Sequence, residues 1–121
     1  MTTEEPSNKN FSNLSLDQYQ LHASSTAIYK DTCKTFEKRM SYVGLGLAGE
    51  AGEISNKTKK LLRDGELDRE AVIAELGDVL WYIAMTCNEL DTTLNEVANI
   101  NLYKLKRRQQ KGTLKGKGDN R

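Results

Sequence analysis

The sequence predicts an all-α protein folded as a four-helix bundle. Apolar residues recur at helical spacing along most of the 121-residue chain, and no segment shows the alternation that is typical of a strand. Residues that favour helix N-termini stand before three of the helical segments, at Ser15, Asp68 and Thr93. A chain of this length is expected to form one domain with a real hydrophobic core.

The first helix is predicted to begin at Ser15. Gln18 follows three residues later and completes a capping box, in which each side chain bonds the backbone of the other residue. The helix is expected to extend to about Thr35 or Met40, either unbroken or interrupted near Asp31.

The second helix is predicted from about Tyr42 to Arg63. Asp64 and Gly65 follow, and a glycine after the last turn is a common helix end. The small and apolar face of this helix is expected to contain Leu45, Ala48, Ala51, Ile54, Thr58 and Leu61.

The third helix is predicted from its N-cap, Asp68, to about Leu90. Apolar residues surround most of its circumference, which is typical of a helix at the centre of a bundle or in a subunit interface. Thr93 and Glu96 form another capping box and open a fourth helix, which extends to about Lys111.

These elements divide the chain into three parts. Residues 1–13 are polar, contain the only proline and are predicted to form a flexible arm. Residues 14–111 form the helical domain. Residues 112–121 form a Gly-rich basic tail, which we expect to be a loop.

The composition excludes several classes of protein. The formal net charge is only +1 and the basic tail lacks interleaved aromatic residues, so a nucleic-acid partner is not expected. No apolar run approaches the roughly 20 residues of a membrane span, and the polar N-terminus lacks the apolar segment of a signal peptide. We therefore expect a cytoplasmic protein without a membrane partner.

Two pairs of acidic residues stand within otherwise apolar helical segments. Glu50 and Glu53 are three residues apart, as are Glu75 and Asp78, so each pair lies on one face of its helix. Four carboxylates turned toward a core repel one another, and a hard divalent cation removes that cost. Ligand sets made only of oxygen favour Mg²⁺, Mn²⁺ or Ca²⁺ over Zn²⁺. The sequence therefore predicts a metal site between two helices.

The alternative for either pair alone is a solvated helix face, with Glu53 and Lys57 as an ion pair at i, i+4. Two such pairs on consecutive helices, flanked by Gly49, Gly52 and Gly77, favour the metal site. Glycine inside a helix costs about 1 kcal/mol relative to alanine, and it is tolerated where a helix or a ligand approaches closely.

The runs Gly44–Glu53 and Glu75–Tyr82 resemble the MazG-like family of all-α nucleotide pyrophosphohydrolases. The family signature is E-E-x-x-E, followed after a helix–loop–helix connection by E-x-x-D, and Gly49 stands where the signature has its first Glu. The resemblance covers about residues 15–110, and the run Asn99–Arg108 adds to it.

This resemblance implies Mg²⁺-dependent hydrolysis of a nucleoside or deoxynucleoside triphosphate to the monophosphate and pyrophosphate, with Mn²⁺ as a substitute metal. It implies that Glu50, Glu53, Glu75 and Asp78 are the metal ligands and catalytic residues. Glu50 or Glu53 can instead hold the attacking water as a general base. The resemblance also implies a homodimer or homotetramer with its active sites near the subunit contacts.

The candidate substrate-binding residues lie around the acidic pairs and on the first and last helices. They are Lys57, Lys60, Tyr82, Asn101, Lys104, Tyr19 and Gln20. For the lysines after Glu53 the alternative is a solvated basic face. Asn101 and Lys104 are candidates because they match the last helix of the family.

A different class of function is also compatible with the sequence: a non-catalytic helical bundle that senses nucleotides or acts as a scaffold. Four intact carboxylates argue against it, because a binding module has no need of them. A di-iron carboxylate bundle normally requires Glu-x-x-His motifs. The only histidine, His22, has no Glu three residues before it.

Overall fold

A computed structural model describes residues 11–119, which form four α-helices and one short 3-10 helix. The helices are α1 (Leu16–Ser24), α2 (Phe36–Asp64), α3 (Arg69–Glu89) and α4 (Leu94–Lys111), and the 3-10 helix is Ile28–Asp31. No residue in this part of the chain forms a strand, so the all-α prediction is confirmed. Residues 1–10 of the predicted arm lie outside the described residues.

Capping residues begin all four helices. Ser15, Thr35, Asp68 and Thr93 each accept a hydrogen bond from a backbone N–H three residues later, at 3.0–3.2 Å. At Ser15 the capping box is complete, because Gln18 also accepts from the Ser15 N–H. Two helices end at glycines with left-handed backbone angles: Gly65 after α2 (φ 76°) and Gly112 after α4 (φ 70°).

The prediction that the first helix extends to Thr35 or beyond is wrong, because α1 ends at Ser24. The hydroxyls of Ser24, Ser25 and Thr26 each donate to a carbonyl three or four residues earlier, at 2.6–2.7 Å. These side chains thereby compete with backbone N–H groups for the last carbonyls of the helix. The short 3-10 helix and an extended segment then lead to α2.

The start of α2 was also predicted too late. It begins at Phe36 and not near Tyr42, because the Thr35 hydroxyl accepts from the Lys38 N–H and opens the helix. Thr35 is thus the N-cap of α2 and not the last residue of the first helix. The earlier start adds a turn and a half to α2 and places Arg39 within it.

The face of α2 that packs against α3 differs from the predicted one. Leu45 is 75% exposed, and Ala48 and Ala51 are also exposed. The face that meets α3 contains Arg39, Val43, Gly46, Glu50 and Lys57, which follow one another at steps of three, four or seven residues. Of the six residues of the predicted face, Ile54 is partly buried and the other five are exposed in the single chain.

Helix α3 lies at the centre of the fold, as its apolar circumference predicts. It packs against α2 along most of its length and against α1 and α4 toward its C-terminal end. Among the described residues α2 and α4 make no close backbone contact, so these two helices do not pack against each other within the single chain. The core is small and consists of Ala23, Tyr29, Val43, Ala84, Met85, Cys87 and Leu94.

The apolar circumference of α3 also predicts that a neighbouring chain or helix buries Trp81 and Ile83 in part. Both are partly buried and pack against the chain's own core. Phe11, at the edge of the predicted arm, packs its ring edge-on against His22 with the centroids 5.4 Å apart. No helix in residues 11–119 is long and apolar enough to span a membrane.

Candidate metal centre

Three of the four predicted carboxylates meet between α2 and α3. Glu50 comes from α2, Glu75 and Asp78 come from α3, and one carboxylate oxygen from each lies within 4.8 Å of the others. Glu50 and Glu75 are partly buried and Asp78 is exposed. The antiparallel hairpin produces this meeting, because it places the acidic face of one helix opposite that of the other. We call these three residues the acidic cluster.

The acidic cluster is electrostatically strained without a cation. The hydrogen bond with Glu75, followed by burial and the charges of Asp78, Glu75 and Glu53, raises the pKa of Glu50 above its ordinary value. The same hydrogen bond lowers the pKa of Glu75, with a further contribution from Lys57 that offsets its burial. A cation bound among these oxygens would replace the repulsion with attraction. Because the donors are all carboxylate oxygens, they suit a hard cation such as Mg²⁺ or Mn²⁺.

Glu53 does not belong to the acidic cluster. Its side chain is exposed, although its charge contributes to the raised pKa of Glu50. Lys57 does not form the ion pair with Glu53 that a solvated face of α2 would predict. Its ammonium lies 3.3 Å from the Glu75 carboxylate, so it supplies a positive charge at the edge of the cluster. Lys60 is exposed one turn further along α2, where its charge helps to lower the pKa of Asp64 after the stronger effect of a bonded arginine.

An open cavity of about 340 Å³ adjoins the acidic cluster. Its lining residues are Thr26, Glu50, Asp78, Trp81 and Tyr82. The Trp81 indole N–H donates to the Thr26 hydroxyl at 2.8 Å, which ties the segment after α1 to α3. Burial, Tyr42 and the two nearby carboxylates raise the pKa of Tyr82, so its phenol remains protonated at neutral pH.

Two residues that line the cavity, Thr26 and Trp81, are not among the predicted site residues. Trp81 follows Asp78 by three residues on α3, whereas Thr26 reaches the cavity through the turn that follows α1. For Trp81 the sequence does contain a signal of proximity to the site: it stands next to Tyr82, shortly after the E-x-x-D run.

The two candidates on α1 differ in their surroundings. Tyr19 is partly buried against the core, and burial and the charge of Asp78 raise its pKa. Gln20 is instead buried, and its amide is fully engaged with α3, α4 and the turn between them. These bonds give Gln20 a structural role, and its contact with a substrate stays a prediction.

Asn101 and Lys104 lie on α4, and neither lines the cavity beside the acidic cluster. Asn101 is exposed, and the Lys104 ammonium lies 3.3 Å from the Asp119 carboxylate. Arg108 is buried on the same helix and bonds that carboxylate at 3.2 Å. The tail thus turns back onto α4 and places an acidic group over its basic residues.

The chain is similar in sequence to a known protein family and to a phage protein. The model of a family described as the MazG nucleotide pyrophosphohydrolase domain matches residues 38–113, which include all of the predicted carboxylates. The Gene 37 protein of Mycobacterium phage L5 is 49% identical over 113 residues, which cover 88% of this chain and 98% of the phage protein. No solved structure matches the chain. On the family match and the acidic cluster within it, the chain belongs to the MazG nucleotide pyrophosphohydrolase family.

Proposed function

We propose that this protein hydrolyses a nucleoside or deoxynucleoside triphosphate to the nucleoside monophosphate and pyrophosphate, with Mg²⁺ as cofactor. The observation that supports the proposal is the convergence of Glu50, Glu75 and Asp78 within 4.8 Å, inside the segment that matches the family. Such a reaction would regulate or sanitise the nucleotide pool, and we place it in the cytoplasm.

Glu50, Glu75 and Asp78 would hold the metal, and Glu53, one turn after Glu50, would be a fourth ligand or would orient the attacking water. Mg²⁺ in such a site supplies positive charge that neutralises the phosphate oxygens during phosphoryl transfer. Mn²⁺ accepts the same ligands. Lys57 would balance the charge of Glu75 while the cluster is unfilled and would be free to contact a phosphate when a cation takes over that task.

The cavity residues suit the remainder of a nucleotide. Tyr82 lines the cavity, and its phenol can donate a hydrogen bond to a nucleotide. Tyr19 is the second candidate, because the charge of Asp78 contributes to its raised pKa after burial. Lys60, Asn101 and Lys104 do not line this cavity, so a substrate role for them requires a long reach of the triphosphate or a second copy of the chain. We also propose that the chain forms a homodimer or homotetramer, in which a second copy could bring such residues to the cavity.

The deciding experiment is a panel of ribonucleoside and deoxynucleoside triphosphates with Mg²⁺ and separate detection of pyrophosphate and orthophosphate. We expect at least one substrate to yield the monophosphate and pyrophosphate, and chelation of the metal to stop the reaction. Diphosphate with orthophosphate as products would contradict the proposal. Binding without turnover across the panel would favour a nucleotide sensor.

The ligand assignment is tested by Glu50→Gln, Glu53→Gln and Asp78→Asn. We expect each to lower turnover by about 100-fold or more, which is the order of effect of losing one group that stabilises transition-state charge. The thermal stability of the metal-free protein should be unchanged or higher, because each change relieves repulsion. Glu70→Gln, at an exposed acid paired with Arg69 on the same α3, is the matched control. Near-wild-type turnover in any of the three variants would remove that residue from the site.

A further inference from the structure

Gly46 occupies the one position among the α2 glycines where a side chain has no room. A Cβ atom built on Gly46 would lie 2.1 Å from Cε1, 2.4 Å from Cζ and 2.7 Å from Cδ1 of the Tyr82 ring. Gly44, Gly49 and Gly52 on the same helix have no neighbouring atom within 4 Å of such a Cβ. The packing of Tyr82 therefore requires glycine at position 46 and not at the other three.

The Gly46–Tyr82 contact lies directly beneath the acidic cluster. Gly46 precedes Glu50 by one helical turn, and Tyr82 follows Asp78 by one turn on the antiparallel partner. On the other side of the contact lies the core, where Val43 and Met85 are fully buried. The Tyr82 ring thus separates the hydrophobic core from the carboxylates and forms one wall of the cavity.

Aromatic neighbours hold the ring on its other sides. The Trp81 ring meets it edge-on with the centroids 5.0 Å apart, and the Tyr42 ring lies at 6.1 Å with a tilt of 45°. Tyr42 in turn stacks on Tyr29 at 4.8 Å. With α2 backbone on one side and rings on the others, Tyr82 has little freedom to choose another position.

We propose that Gly46 is a positioning residue, whose missing side chain lets the Tyr82 ring lie against α2 and sets the ring's place in the cavity beside Glu50 and Asp78. The inference rests on the proposed function only in that the cavity receives the metal and the nucleotide. Gly46 itself touches neither.

The direct test is Gly46→Ala. An added methyl group cannot coexist with the ring at these distances, so either the ring leaves the cavity wall or the two helices move apart. A displacement of about 1 Å near reacting groups can reduce turnover by about 100-fold. We expect kcat to fall about 10- to 100-fold. Gly44→Ala is the matched control on the same helix and should retain activity and raise the melting temperature, because alanine favours the helix.

A second variant separates the ring clash from other effects of the glycine. In a Tyr82→Leu background the ring is gone, so adding Gly46→Ala should cause no further loss of activity and should raise the melting temperature, as Gly44→Ala does. Strong non-additivity of this kind indicates direct coupling between two positions. If Gly46→Ala alone fails to fold, the double variant must fold. A double variant that is as damaged as the single one would overturn the proposal.

A third measurement does not depend on turnover. The chain has five tyrosines, so fluorotyrosine labelling gives few signals, and a Tyr82→Phe sample identifies the one from Tyr82. Mn²⁺ alone should broaden that signal in the wild type and in Gly44→Ala, and the broadening should change in Gly46→Ala. Failure of Mn²⁺ to bind the wild type would count against the proposed metal site, and the stability comparison would still test the positioning. If both the broadening and kcat are unchanged in Gly46→Ala, the proposal that Gly46 positions the Tyr82 ring is overturned.

Discussion

Glu89 lies at the end of the α2–α3 hairpin opposite to the loop, where its side chain is 5% exposed. Arg39 donates to one carboxylate oxygen at 2.8 Å, and the Tyr29 hydroxyl donates to the other at 2.7 Å. Burial alone would raise the pKa of Glu89, but the hydrogen bonds from Arg39 and Tyr29 outweigh it and the pKa is lowered. This buried charge is therefore compensated in the folded state.

We expect Glu89→Gln to lower the free energy of unfolding by about 2 kcal/mol, since it removes a buried charged partner while Arg39 keeps some access to water. Urea denaturation measures the change. Glu70→Gln is the control, because Arg69 and Glu70 are both more than three-quarters exposed and such pairs contribute about 0–1 kcal/mol.

The effect of Glu89 should depend on pH. A carboxylate whose pKa is lowered by folding contributes stability above its unfolded pKa of about 4.3, and the contribution is lost as the pH falls through the folded pKa. The stability gap between the wild type and Glu89→Gln should therefore narrow below about pH 4. A gap of equal size at pH 7 and pH 3 would contradict this account.

At the scale of elements, Gln20 joins α1 to the α3–α4 turn. Its amide nitrogen donates to the Asn88 side chain at 2.8 Å and to the Thr92 carbonyl at 3.1 Å. Its amide oxygen accepts from the Leu94 N–H at 2.8 Å, at the first residue of α4. One buried side chain thereby sets the placement of α1 relative to the end of α3 and the start of α4.

Gln20→Ala should destabilise the protein by about 2–3 kcal/mol, because it leaves the buried Leu94 N–H without its partner. Hydrogen exchange at Leu94 should accelerate more than exchange in the middle of α3. Gln110→Ala, at an exposed position of α4, should be within about 0.5 kcal/mol of the wild type. If Gln20→Ala and Gln110→Ala are equally stable, the hydrogen bonds of Gln20 contribute little to the stability of the fold.

At the scale of the whole molecule, the described chain buries only a small core and leaves many large apolar side chains exposed. On α2, Leu45 is 75% exposed and Leu62 is 85% exposed. Gly49 and Gly52 lie between them on exposed backbone, with no neighbouring side chain against them. Extended apolar surface of this kind usually marks an interface, and it supports the proposal that copies of the chain associate.

Leu45→Glu should therefore weaken assembly without unfolding the chain, because this side chain is mostly exposed in the single copy. Light scattering at micromolar concentration should report a dimer or tetramer for the wild type and a lower mass for the variant. Leu21→Glu, at a leucine of α1 that is 71% exposed, is the matched control and should keep the wild-type mass. A stable, fully active wild-type monomer would refute the proposed assembly.

The sequence alone predicted those helix starts at which a capping side chain bonds the backbone of the first turn. Asp68 and Thr93 start α3 and α4 as expected, since a cap is satisfied by the backbone three residues away. The spacing of the paired acids also placed Glu75 and Asp78 on one helical face, and the family resemblance was confirmed. The caps and the acidic pair each depend on residues within a turn or two of one another.

Only the tertiary structure decided which faces meet. The sequence could not show that Val43 and Gly46, and not Leu45, would face α3, because helical periodicity marks apolar stripes without saying what covers them. For the same reason Gln20 proved structural, and Asn101 and Lys104 lie apart from the acidic cluster. Contacts between residues distant in the chain depend on the packing of whole helices, and that packing is a property of the fold and not of any local run of residues.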